Sequence, residues 1–335
     1  MTDISNKIAS LEKLIGNTPL IEILCEYKGK EIKVYTKLEY YNYSGSIKDR
    51  MALYILKNAY KHNKIKEGDI IIEATSGNTG ISFAALGTYL NHPVEIYMPD
   101  WMSDERKKLL KSFGAEIHLV SKKDGGFLKC ISLAEERAQC EKNIFIPSQF
   151  SNEDNPMAHY LSTGPEIYHS LKSKKLKPDA FVAGVGTGGT IMGIGRYLKN
   201  KNPHCKVYPL EPSNSPTLST KSKVCEHRIQ GIVDEFIPDI LKFNETDDIV
   251  SVDDGDAIIM AQKLSSELGL GVGISSGANF LGAIKALEIL GYNSTVVTVF
   301  ADDNKKYLTT DLMNKEPVKP GFLSTDIKLL KITRL

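Results

Sequence analysis

The segment Asn42-Tyr43-Ser44-Gly45-Ser46-Ile47-Lys48-Asp49-Arg50 places a lysine just after a turn of small polar residues, at the expected start of a helix over 47–62. The partial positive charge of a helix N-terminus disfavours an ammonium there and lowers the amine's pKa. A lowered pKa is what a lysine needs to form a Schiff base with a carbonyl compound. Taken alone, the segment reads more readily as a first-turn surface lysine.

Three more segments rich in glycine and hydroxyl side chains stand at the ends of expected strands. Glu73-Ala74-Thr75-Ser76-Gly77-Asn78-Thr79-Gly80 follows an apolar run and precedes a helix. Its free backbone N–H groups and its side chains suit a carboxylate. An N-cap at Thr75 or Asn78 would need only one such residue, and the turn has four. Gly184-Val185-Gly186-Thr187-Gly188-Gly189-Thr190 lets a phosphate approach the backbone at a helix N-terminus. Its spacing fits neither a dinucleotide fingerprint nor a P-loop. Gly271-Val272-Gly273-Ile274-Ser275-Ser276-Gly277 also precedes a helix, where a serine could cap the helix or face a ring nitrogen.

The elements that must hold these turns alternate. Strands are expected over 32–37, 69–73, 94–98, 116–120, 180–183, 206–210 and 295–300. Helices are expected over 47–62, 80–90, 104–113, 127–141, 162–171, 190–200, 254–268 and 278–289. Strands apolar on both faces, interleaved with helices, predict an α/β architecture with parallel sheets. A chain of 335 residues suits two domains. The break in pattern over 147–156 suggests a boundary, and the stretch from Asn314 reads as a tail packing on the surface or on a partner subunit.

Composition excludes other classes. The 42 basic and 41 acidic residues leave a net charge of +1, which gives no footprint for nucleic acid or an anionic membrane. No apolar run approaches the ~20 residues that span a bilayer. Met1-Thr2-Asp3-Ile4-Ser5 lacks a signal-peptide pattern, so a cytoplasmic location is expected. The five cysteines are scattered without a Cys-x-x-Cys pair, so neither a disulfide framework nor a metal site is expected.

Together the four segments resemble the cysteine synthase and cystathionine β-synthase family of fold type II pyridoxal-phosphate (PLP) enzymes. The resemblance extends through Leu14-Ile15-Gly16-Asn17-Thr18-Pro19-Leu20, Glu105-Arg106-Lys107-Lys108-Leu109-Leu110, Gln149-Phe150, Asn155-Pro156, Thr163-Gly164-Pro165-Glu166-Ile167 and Glu211-Pro212, over roughly residues 10–310. It implies two domains, each a mostly parallel sheet flanked by helices, with the cofactor in the cleft. The smaller would take residues 41–150, the larger residues 1–40 with 151–313, and the tail 314–335. By the same resemblance Lys48 carries PLP and then removes the Cα proton, and Asn78 hydrogen-bonds the cofactor's 3-oxygen. Thr75, Ser76, Thr79 and Gln149 hold the substrate carboxylate. Gly186, Thr187, Gly188, Gly189 and Thr190 hold the phosphate, and Ser275 faces the pyridine nitrogen. A neutral hydroxyl there weakens the ring as an electron sink. That favours loss of a β-substituent through an α-aminoacrylate. A homodimer acting on a small amino acid is implied as well.

Two places depart from the family. Tyr43 stands where a proline is usual. After Gln230-Gly231-Ile232, where cysteine synthases carry small residues, this chain has Val233-Asp234-Glu235. Asp234 either points to solvent, acts as a general base on water, or binds an amino group. Hydrosulfide is anionic and would be repelled by a carboxylate. The expected substrate is therefore L-cysteine, with release of hydrogen sulfide and formation of L-serine or lanthionine. The alternatives are an O-acetylserine sulfhydrylase, which makes L-cysteine from O-acetyl-L-serine and sulfide, and a non-catalytic homologue that binds an amino acid or a partner.

Overall fold

The computed structural model describes residues 3–75, 77–222, 224–232 and 236–335. Ser76 and Asp234, two of the expected site residues, lie outside the described residues. The β-rich runs become β1 (Leu20–Tyr27), β2 (Lys30–Leu38), β3 (Ile70–Ala74), β4 (Val94–Pro99), β5 (Glu116–Val120), β6 (Ile144–Phe145), β7 (Ala180–Gly184), β8 (Lys206–Pro212), β9 (Val250–Val252), β10 (Val296–Phe300) and β11 (Ile327–Arg334).

They assemble into two sheets. One is seven-stranded, in the order β11-β1-β2-β10-β7-β8-β9; the other is four-stranded, β5-β4-β3-β6. The smaller sheet is wholly parallel. In the larger, β2, β10, β7, β8 and β9 run parallel, while β1 runs antiparallel to both of its neighbours, β2 and β11. Parallel strands need crossovers, and the helices supply them, covering both faces. Helix Ile274–Leu290 is almost entirely buried, because it packs among Val182, Leu210, Val296 and Phe300 of the larger sheet. This is the two-domain fold type II architecture expected from the motifs.

All seven expected strands form. The expected range 69–73 slides by one residue to Ile70–Ala74, the range 295–300 shortens by one to Val296–Phe300, and the others match or extend by no more than two residues at either end. β1, β6, β9 and β11 were not expected. β11 corrects the reading of the C-terminal stretch as a tail: Ile327–Arg334 pairs antiparallel with β1 at the sheet edge. Its Lys328, Lys331 and Arg334 look like a solvated tail in sequence, yet basic residues are how an edge strand avoids further pairing. Helix Asp3–Leu14 was missed too; its Ile8 and Leu11 are buried beside Met51 and Leu56 in the core of the smaller sheet. The break over 147–156 is no exposed linker, since Gln149 and Asn155 are both buried.

Candidate active site

Parallel strands end at one edge, and ligands of open α/β sheets collect there. The loops after β3, β7 and β10 meet in a cleft of about 1000 Å³, counting its open mouth. Its walls include Lys48, Thr75, Asn78, Thr79, Gln149, Gly186, Thr187, Gly188, Thr190 and Ser275. The fold thus brings the four sequence segments into one place.

Lys48 opens helix Lys48–Lys61. Its neighbours fix it there. The Ile47 N–H donates to the Ala301 carbonyl (2.9 Å), and the Lys48 N–H to Ser46 Oγ (3.3 Å). Asp49 is buried and accepts from the Ser44 N–H (2.6 Å) and Ser82 Oγ (2.6 Å). Arg50 forks between two acids, donating from Nε to Glu39 Oε2 (2.6 Å) and from Nη1 to Glu166 Oε1 (2.7 Å). Burial pushes the Glu39 carboxyl up, but the Arg50 guanidinium outweighs it and holds the group at about 2. The polar run around Lys48 is therefore an anchored knot, not a surface turn. Desolvation pulls the Lys48 amine below its ordinary pKa, and the Asp302 carboxylate opposes the shift. The direction is the one expected from the sequence, and burial is the larger of these two influences.

The loop after β3 is braced from below. Thr75 Oγ1 accepts from the Gly77 N–H (3.1 Å). Thr79 Oγ1 donates to Gln149 Oε1 (2.6 Å), and Gln149 Nε2 donates to the Ala74 carbonyl (2.8 Å). The residue before the helix is Gly77 and no side chain caps it, so neither Thr75 nor Asn78 serves as the N-cap weighed from the sequence. Beneath lies Glu73, accepting from the Ala74 N–H (3.0 Å) and the Gln149 N–H (3.3 Å). Burial without a cation pushes its carboxyl up to about 8, against the pull of those donors. The unfolded carboxyl titrates near 4.5. Across that window the folded chain holds the extra proton, so stability falls as pH rises from 4.5 to about 8. Thermal unfolding of Glu73→Gln against wild type should lose that component of the slope, on the order of a few kcal/mol at about 1.4 kcal/mol per pH unit. Parallel curves for the two proteins would show that Glu73 is ionised throughout.

The loop after β7 leads into helix Gly189–Lys201, whose first-turn N–H groups have no intrahelical partners. A Cβ at Gly186 would fall 2.4 Å from the Gly231 carbonyl oxygen, and one at Gly189 would fall 1.9 Å from Asn155 Oδ1. Only glycine fits at either place, so the backbone itself faces the cleft. Asn155 Nδ2 donates to Thr187 Oγ1 (2.9 Å) and to the Gln149 carbonyl (2.8 Å), tying this loop to the stretch at Gln149. Asn279 does the same behind it, accepting from the Gly184 N–H (2.8 Å) and donating to the Val299 carbonyl (2.8 Å).

Asn78 Nδ2 donates to Asp302 Oδ2 (2.7 Å), which also accepts from the Tyr307 hydroxyl (2.7 Å). Asn78 Oδ1, Asp302 Oδ1 and Ser276 Oγ are buried without a partner among the described residues. Orphaned polar atoms of this kind call for a ligand. A phosphate cradle, a lysine of lowered pKa, an asparagine with a spare amide oxygen and Ser275 on the cleft wall fit PLP. Sequence reasoning assigned no role to Arg106, Asn155, Asn279 or Asp302. Arg106 and Asn155 stood in recognised motifs, whereas Asp302 gave no signal because its partner in the cleft, Asn78, is 224 positions away in sequence.

Residues 11–302 match the family model described as pyridoxal-phosphate dependent enzyme. A cysteine synthase of Staphylococcus aureus is 39% identical over 308 residues, covering 91% of this chain and 97% of the relative. A hydrogen sulfide-producing enzyme of Fusobacterium nucleatum is 58% identical, with a TM-score of 0.96 over 99% of this chain and 100% of that one. The same enzyme is also solved as an aspartate-to-asparagine mutant in complex with an α-aminoacrylate intermediate. A second hydrogen sulfide-producing enzyme of that organism is 39% identical, with a TM-score of 0.82 over 89% of this chain and 99% of that one.

Proposed function

This chain belongs to the pyridoxal-phosphate dependent enzymes, and from that premise we propose that it releases hydrogen sulfide from L-cysteine and hands the remainder to water or to an amino acid. With water the products are L-serine and hydrogen sulfide; with a second L-cysteine they are lanthionine and hydrogen sulfide. The observation that carries this reading is Asp234 in a stretch whose flanks, Ile232 and Phe236, line the cleft. A carboxylate in that stretch suits activation of water or docking of an amino group, and disfavours the hydrosulfide anion. The 58% identity to a hydrogen sulfide-producing enzyme supports it.

PLP, held covalently, supplies the electron sink that lets the α-proton and the β-substituent depart. Lys48 would anchor the cofactor and would serve as the base for the Cα proton; burial pulls its pKa down, which favours the basic, neutral form of the amine. Asp302, the charge facing it, favours the ammonium that results. Thr75, Ser76, Thr79 and Gln149 hold the substrate carboxylate. Gly186, Thr187, Gly188, Gly189 and Thr190 would hold the phosphate, Asn78 would hold the ring, and Ser275 would offer a hydroxyl to its nitrogen. Among the described residues no helix is long and apolar enough to cross a membrane. The same reading takes the enzyme as a cytoplasmic homodimer, with residues 41–150 as its smaller domain.

The second reading, an O-acetylserine sulfhydrylase, is favoured by the 39% identity to a cysteine synthase. Holoenzyme incubated with L-cysteine alone, with products identified by mass spectrometry, separates the two. Sulfide together with L-serine or lanthionine is the expected result. No sulfide from L-cysteine, with brisk L-cysteine formation from O-acetyl-L-serine and sulfide, would overturn the first reading in favour of the second.

A further inference from the structure

Arg106 lies in helix Asp104–Ser112, is only 2% exposed, and lines the cleft. Its Nε and Nη1 are buried and have no hydrogen-bond partner among the described residues. A buried guanidinium without an anion is costly, because desolvation of a charge is repaid only by a paired counter-charge. Lys107 beside it pairs with Asp104 (3.1 Å), and Glu105 accepts from Thr309 Oγ1 (2.8 Å), so neither neighbour supplies that anion. The face of the guanidinium rests on the Tyr307 ring, 4.7 Å from its centroid, which offsets part of the cost. That stacking leaves the edge of the fork, where the N–H groups point, unanswered.

The side chain packs directly on Gly77. A Cβ there would fall 2.6 Å from Arg106 Cδ and Nε. Gly77 is the midpoint of the loop whose Thr75 and Thr79 are expected to meet the substrate carboxylate. This loop otherwise offers only neutral donors. We propose that Arg106 is the cationic element of the carboxylate site, and that its open N–H groups receive the α-carboxylate of the amino acid entering at Lys48. The inference rests on the site reading given above and sharpens its substrate class: a free amino acid, discriminated from amides and amines by charge. It also links the site to Asp302, which Tyr307 joins by a hydrogen bond of 2.7 Å. The network Arg106–Tyr307–Asp302–Asn78 thus runs from the carboxylate pocket to the residue expected at the cofactor ring.

The test compares ligands that differ only in the carboxylate. L-Serine and L-serinamide are titrated into PLP-loaded wild type, Arg106→Gln and Arg106→Lys, and binding is read from the cofactor's absorbance. Arg106→Gln should weaken L-serine binding by roughly 10- to 100-fold, the scale of a hydrogen bond to a charged group, and leave L-serinamide unchanged. Arg106→Lys should recover part of the loss for L-serine alone. Equal weakening of both ligands, or of neither, overturns the proposal, because a purely structural arginine does not sense the ligand's charge. If wild type binds L-serine but releases no sulfide from L-cysteine, the proposed reaction fails while this comparison still decides the role of Arg106.

Discussion

Replacing Lys48 with alanine should abolish turnover of L-cysteine, lowering sulfide release by at least roughly 10³-fold, since loss of a general acid–base group alone typically costs about 10²–10⁴. The magnitude follows from two losses in one side chain: the covalent tether of the cofactor and the base for the Cα proton. Wild type should be yellow, and borohydride should fix the cofactor to the chain. The variant should bind PLP only through the Gly186–Thr190 loop and lose it on dialysis. Lys48→Arg makes a useful companion, because it keeps a cation against Asp302 yet forms no covalent link. A Lys48→Ala protein that stays yellow after dialysis and still releases sulfide would move the tether to another lysine. Neighbouring structure should survive the change, because Asp49 and Arg50, not Lys48, make the anchoring bonds to Ser44, Ser82, Glu39 and Glu166.

Asp234→Asn should separate the two halves of the reaction. The donor half depends on Lys48 and the cofactor, so one equivalent of sulfide per active site should still appear in a burst. Steady-state release of sulfide and L-serine should then fall by roughly 10²–10⁴, the usual cost of losing a general base. The amide also lacks the charge that would dock an acceptor's ammonium, so lanthionine formation should fall alongside. Rapid-mixing measurement of sulfide, with cofactor absorbance recorded in parallel, reads both phases. An unchanged steady state with the cofactor intact would return Asp234 to solvent.

How much of this was legible without coordinates differs from residue to residue. The loops at Lys48, Thr75, Gly186 and Ser275 could be read because each is a local device. A strand, a turn of small residues and a helix start within ten positions dictate free N–H groups at a defined spot. Helix Asp254–Leu268 was expected in the same place for the same reason, its Asp253 side chain capping the Gly255 N–H at 2.8 Å. The edge strand Ile327–Arg334 was hidden because its charges serve an edge, and because its partner Leu20–Tyr27 lies some 300 positions earlier. Short β9, three residues long, offers no periodicity to detect.

What the sequence by itself determined was chemistry of kind: a lysine of the type that can tether PLP, glycines at a helix start where backbone could meet a phosphate, a neutral serine at the start of another helix, and an unusual carboxylate at Asp234. What only the tertiary structure decided was chemistry of degree and company. Burial lowers the Lys48 pKa, and burial lifts Glu73 to about 8. Asp302 and Tyr307 reach the site from the far end of the chain, and Arg106 lies in the cleft wall with its Nε and Nη1 unpartnered among the described residues. The physical reason is one of range. Turn and capping preferences act over a few covalent neighbours and are written in adjacent letters. Desolvation and charge pairing depend on every atom within several ångströms, and those atoms come together only when the sheets have formed.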